Sequence, residues 1–224
     1  MIEQLSQQII NVCKGVNVQE EIDYILGNYQ QGNFTYNETT ERLRNLSSEI
    51  PCSFLIHCTL FVHYSRHQEM RNRLIEEGNV LLKLFTANEE DIRSLSSLGV
   101  DPFYELANTY CDMKRFDDAI DVYNRVIPIY SMSQIKYYKH LGELYKLKGR
   151  AELAINAFNQ VLSLNQADNE TRLNLASIYE STGNLLSAIE QYQCSLKYTK
   201  NTIENSKVKE IIKRLESLKG VHEK

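Results

Sequence analysis

The chain has 224 residues, a net charge of −4 from 29 Asp/Glu and 25 Lys/Arg, and only 3 Pro and 9 Gly. That length holds one domain or one continuous array with a large buried interior, and so little Pro and Gly among Leu/Ile/Tyr and Glu/Lys/Gln suits an almost wholly helical protein. No apolar run approaches a membrane span, and 5 Cys without a CxxC point to reduced thiols in the cytoplasm or nucleus.

In chain order, MIEQLSQQIINVCKGVNVQEE has an amphipathic helix pattern without the basic-then-apolar order of a signal peptide. The apolar spacing predicts helices near 2–13, 18–31, 37–48, 53–66 and 68–86, and a short one after Asn88. Glu89, Glu90 and Asp91 read as acidic residues favoured by the dipole of a first helical turn. The stretch Asn88–Asp101, polar and containing Gly99, is the expected bend or boundary. Sequons at Asn33, Asn37, Asn45 and Asn169 are incidental in an Asn- and Ser-rich chain of this compartment.

From residue 100 a sparse pattern repeats at a spacing of 34 or 35. Small residues fall at Ala107, Gly142 and Ala176, and again at Ala119, Ala154 and Ala188. Aromatics keep step at Tyr110, Tyr145 and Tyr179, then at Tyr123, Phe158 and Tyr192. Leu106, Leu141 and Leu175 lie four residues before the first aromatic set, hence on the same helical face. Ile120, Ile155 and Ile189 follow the second small residue. Small positions mark where two helices approach closely, and a repeat of this length is a helix–turn–helix unit that buries its apolar face only against neighbours. Gly149 and Gly183 stand where the first helix must end with positive φ. Lys114 holds that place in the first repeat, so its turn is expected to be strained. Asp117 and Asp118 fall in the first turn of the helix that follows.

LANTYCDMKRFDDAIDVYNRV, LGELYKLKGRAELAINAFNQV and LASIYESTGNLLSAIEQYQCS resemble the tetratricopeptide repeat. The chain lacks the family's frequent early Trp, and Ser131, Gln166 and Lys200 replace its Pro. The resemblance implies an all-α fold, a right-handed superhelix of antiparallel helix pairs (an α-solenoid). Its repeats would be 100–134, 135–168 and 169–202, within a block at 100–202. Residues 1–99 would be degenerate helical hairpins continuing the superhelix, with a separate N-terminal helical domain as the alternative; there Tyr29-Gln-Gln-Gly32-Asn-Phe34 resembles an inter-helix turn of the family. Residues 203–224 would be a basic capping helix and tail: eight Lys/Arg face four Asp/Glu from Lys197 onward, and Val208, Ile211, Ile212, Leu215 and Leu218 would turn inward.

The same resemblance implies a non-catalytic scaffold or adaptor, its partner protein or peptide held in a concave groove lined by the first helix of each repeat. Projected onto this sequence, the lining is Tyr104 and Asn108, with Asp101 and Asp112; then Lys136, Lys139, Glu143 and Lys146, with His140; then Leu173, Asn174, Ser177 and Glu180, with Glu170. Lys136, Lys139 and Lys146 would form a basic centre between acidic rims, suited to a segment with acidic residues in its middle. Only Asn108 matches the subclass that clamps the C-terminal carboxylate of heat-shock chaperones, so that partner is not expected. Within the family, the 35-residue first interval and RLNLASIYESTGNLLSAIE resemble the repeat array of the third subunit of transcription factor IIIC. This would imply a component of the RNA polymerase III initiation machinery.

Chemistry has few footholds elsewhere. Cys52, Cys58, His63 and His67 carry metal-ligating side chains, with the imidazoles four apart, but their spacing fails the usual zinc-finger arrangement. No GxSxG, GxxxxGK or HExxH occurs, so no enzyme, cofactor or metal is expected. An acidic body with one basic helix argues against direct nucleic-acid contact.

Overall fold

A computed structural model describes residues 17–86, 88–97, 99–198 and 202–222; the helix expected at 2–13 lies outside them. The described residues form twelve α-helices and no strand. The chain divides after Tyr130 into two compact units.

The first unit holds α1 (Val18–Gln30), α2 (Tyr36–Glu49), α3 (Phe54–Ser65), α4 (Arg71–Leu84), α5 (Glu89–Ser97), α6 (Pro102–Asp112) and α7 (Phe116–Val126). The sequence FLIHCTLFVHYS is apolar on every side, and such a helix must be surrounded. Accordingly α3 buries nine of its twelve residues and meets α1, α2, α4, α5 and α6. Leu106 of α6 seats on Gly78 of α4, where a Cβ would lie 2.7 Å from the Leu106 methyl. Around Phe85 the rings of Phe54, Phe103 and Tyr130 gather at centroid distances of 5.6, 5.0 and 5.6 Å. They tie the segment on either side of Asn88–Asp101 into one core. That segment is mostly helical: Asn88 caps α5, and Asp91, in the first turn as expected, is also buried and accepts from the Thr86 N–H and hydroxyl.

The second unit holds α8 (Gln134–Leu147), α9 (Ala151–Leu164), α10 (Asn169–Ser181), α11 (Leu185–Ser195) and α12 (Thr202–His222). The small positions are all buried, as are Phe158 and Tyr192; Tyr179 and Ile155 are only partly covered. Val208, Ile212 and Leu215 of α12 close the core of the third repeat, joining Ala176, Ala188, Ile189 and Tyr192. Leu218, expected to turn inward with them, is exposed.

Four helix pairs turn in the same way. A residue with positive φ (Gly32, Lys114, Gly149 or Gly183) is followed by one whose N–H reaches back five residues: Asn33 to Asn28, Arg115 to Tyr110, Arg150 to Tyr145 and Asn184 to Tyr179, each at 2.8 Å. The α1–α2 turn therefore shares its closure with the three repeats. Lys114 sits at φ 60°, the strained place its register predicts. Lys114→Gly is expected to raise stability by about 0.5–1 kcal/mol, the left-handed penalty less the added chain entropy of Gly. An unmoved chemical-denaturation midpoint would show that the turn stores no such strain.

Candidate functional site

Helices α8 and α10 each turn a small-residue face to the following helix, Gly142 towards α9 and Ala176 towards α11, leaving a polar face outward. Lys136, Glu143 and Lys146 are exposed there, while Lys139, His140, Leu173, Asn174, Ser177 and Glu180 are half-buried. Tyr104 and Asn108 are half-buried on α6, in the first unit, where exposed Asp112 meets Arg71 at 3.5 Å.

Side chains bridge the first helices of the second unit. Lys139 Nζ donates to Asp168 Oδ2 at 3.1 Å and Glu170 Oε2 at 2.6 Å. Lys146 Nζ donates to Asn174 Oδ1 at 3.1 Å. Glu180 takes Arg214 of α12 on one oxygen and the Tyr192 hydroxyl, at 3.0 Å, on the other. Lys146, Glu180 and Arg214 stand 34 residues apart, so one repeat position alternates in sign. The expected basic centre is therefore partly neutralised from within. Burial alone would pull the Lys139 ammonium down, but Glu170 and Asp168 outweigh it and hold it above its ordinary value.

Its neighbours respond to the same crowding. Partial desolvation on this crowded face, reinforced by Glu170, pushes the Glu143 carboxyl up against the opposing pull of Lys139 and Lys146, although the side chain still reaches solvent. Burial, then Lys136, pushes His140 down, so its imidazole is neutral near neutral pH. Tyr192 is pushed up to about 12 by burial and by its bond to Glu180. These groups can hold a polypeptide by ion pairs and hydrogen bonds; none pairs a nucleophile with a base. Asp168 and Arg214 were missed from sequence. Asp168 was legible as a helix N-cap, and Arg214 as the residue one repeat beyond Glu180.

The Cys/His group is not brought together as a ligand set. Arg66 ends α3 and His67 is extended, so the two imidazoles do not share a helical face. His63 stacks on Tyr36 at 4.2 Å, His57 binds Glu77 at 2.7 Å, and Cys58 is buried, which pushes its thiol up. Among the described residues no three His, Cys, Asp or Glu side chains are grouped to hold a metal ion.

Residues 101–167 and 170–202 each match a sequence profile of the tetratricopeptide repeat. Residues 101–167 and 170–202 are tetratricopeptide repeats. Among curated proteins, none matches the sequence. Several solved structures have a similar fold. One of the protein MamA is 18% identical with a TM-score of 0.59, covering 80% of this chain and 90% of that one. YrrB, described as a TPR protein with an unusual peptide-binding site, is 16% identical with a TM-score of 0.53, covering 71% and 75%. The C-terminal part of a TPR repeat-containing protein from Cytophaga hutchinsonii is 16% identical with a TM-score of 0.57, covering 84% and 70%. The likeness is one of fold, an α-solenoid of tetratricopeptide helix pairs.

Proposed function

We propose that the chain is a non-catalytic tetratricopeptide scaffold that holds a peptide or a partner subunit within a multiprotein complex. The observation that carries this reading is the outward polar face of α8 and α10. It displays Lys136, Lys139, Glu143, Lys146, Asn174, Ser177 and Glu180, with Leu173 partly packed on the core of the third repeat, while the small residues of the same helices are spent on internal packing. Tyr104 and Asn108 occupy the equivalent helix of the first repeat, in the first unit. The peptide-binding site named for YrrB lends support by analogy of fold alone. The narrower reading, a part of RNA polymerase III initiation machinery like transcription factor IIIC, rests on the sequence resemblance by itself and gains nothing from the similar structures. A cytoplasmic or nuclear setting suits the free thiols of Cys58, Cys111 and Cys194. No helix among the described residues is long and apolar enough to cross a membrane.

The test is affinity purification of the tagged chain, repeated with Lys136→Glu and Lys139→Glu together. The double reversal is expected to cut recovery of co-eluting proteins about tenfold or more, because it sets like charges against an acidic segment. Unchanged recovery would remove α8 from the binding face.

A further inference from the structure

Three exposed apolar side chains converge on one open cleft of the second unit. Met132 in the turn before α8 is 68% exposed, Ile135 in the first turn of α8 37%, and Leu164 at the end of α9 50%. They line a cleft of about 560 Å³ together with Lys136, Lys139 and Asp168. Two cations thus line the cleft against one carboxylate. The first turn of α8 contains no acidic residue and its N-cap, Ser133, makes no side-chain cap bond, whereas α10 has both Asp168 and Glu170 at its start. The apolar cleft therefore lies beside a cation, Lys139, whose carboxylate partners both come from the start of α10, and a segment whose apolar side chain is flanked by acid matches that pairing.

Lys139 shows how such an acid is accommodated. Its two carboxylates are not equivalent. Asp168 is 13% exposed and fixed as the cap of α10, accepting from the Thr171 N–H at 2.9 Å. Glu170 is 67% exposed and reaches Lys139 from outside the cleft lining. An exposed ion pair of this kind is weak and easily exchanged, whereas the helix cap is not. Glu170 is thus a resident stand-in for an incoming carboxylate.

We infer that this cleft is the anchor subsite for an acidic–apolar peptide segment, which buries one apolar side chain against Met132, Ile135 and Leu164 while a neighbouring carboxylate takes the place of Glu170 on Lys139. The inference rests on the scaffold reading and specifies the partner's chemistry. It differs from recognition by α8 and α10 charges alone, because the affinity comes from the apolar anchor and Glu170 acts as a competitor.

The test is selection of a phage-displayed random peptide library on the full chain, followed by binding measurements on variants whose helical content is checked by circular dichroism. Enriched peptides are expected to carry an apolar residue within two positions of Asp or Glu. Ile135→Ser and Leu164→Ser should each weaken them about tenfold. Glu170→Gln should tighten them about threefold, whereas a merely structural ion pair would leave affinity unchanged or reduced. Enriched peptides that are indifferent to Ile135→Ser and Leu164→Ser but lost on Leu173→Asp would overturn the cleft and leave the scaffold reading standing. Indifference to Glu170→Gln would overturn the exchange at Lys139. No enriched peptide at all would count against the cleft and the scaffold reading together.

Discussion

Replacing Phe158 with Ala is expected to destabilise the chain by about 3–5 kcal/mol, the range for removing a fully buried aromatic side chain. Phe158 has no exposed surface, and its ring fills the space left by the missing side chain of Gly142. A Cβ at Gly142 would lie 2.7 Å from Cε1, 2.8 Å from Cζ and 2.9 Å from Cδ1 of that ring. Carbon atoms pack at about 3.5–4.0 Å, and a buried ring has no flexible end to swing away. Gly142→Ala should therefore be destabilising by about 1–2 kcal/mol, because overpacking outweighs the gain of about 1 kcal/mol from helix propensity. In the Phe158→Ala background the obstacle is gone, and the same Gly142→Ala change should stabilise by about 1 kcal/mol. Urea denaturation of the two single variants and the double variant reads this directly. A Gly142→Ala effect of the same sign in both backgrounds would mean that close helix approach is not what the small position serves.

Mild acid should weaken the first unit through His63. Burial is the main cause that pushes its imidazole down to about 4, helped by His67 and Arg66, while the Tyr36 carbonyl opposes them. The Thr40 hydroxyl donates to the Tyr36 carbonyl at 2.8 Å and meets His63 Nε2 at 2.9 Å. With that hydroxyl proton committed, Nε2 carries the hydrogen of the neutral ring, and acid must add a proton at Nδ1. Between pH 6.5 and about 4 the unfolded chain binds a proton that the folded chain resists. Stability due to this residue is therefore complete above pH 6.5, falls as pH drops through the window, and is fully lost below about 4. The size is on the order of 3 kcal/mol. Denaturation at pH 7 and pH 4 should show a smaller acid loss for His63→Phe, which keeps a ring against Tyr36 but cannot titrate. An equal loss in both chains would assign the acid sensitivity to other groups.

The parts legible in the sequence were those set by local spacing. Small and aromatic positions from Ala107 to Tyr192 announced the helix pairs, and Gly149 and Gly183 announced their turns, because one repeated packing geometry imposes one repeated pattern. Gly78 was not legible. It receives Leu106 as closely as Gly142 receives Phe158, but α5 interrupts the repeat and no register connects the two. That Lys136, Glu143 and Lys146 lie exposed on α8 was readable from the register, but not the internal pairing around them. That Lys139 meets Asp168 and Glu170 depends on the lateral spacing of two helices, which periodicity along one chain does not contain. The cleft was invisible for the same reason: Met132, Ile135 and Leu164 come from a turn, a helix start and a helix end. Leu218 erred in the other direction, since its periodic position on α12 extends past the core residues available to cover it.

The shared turn also bears on how the chain acquires its structure. In each of the four pairs, the closing hydrogen bond joins residues only five apart. The entropy lost in forming such a contact is small, and a topology dominated by near-neighbour contacts folds fast. Each hairpin can therefore form on its own section of chain and then dock its apolar face on a neighbour, so that assembly can start at any of several places and spread. Among these starting points, the Lys114 turn is the slow one, since it alone must drive a side-chain-bearing residue into the left-handed region before its helices can meet.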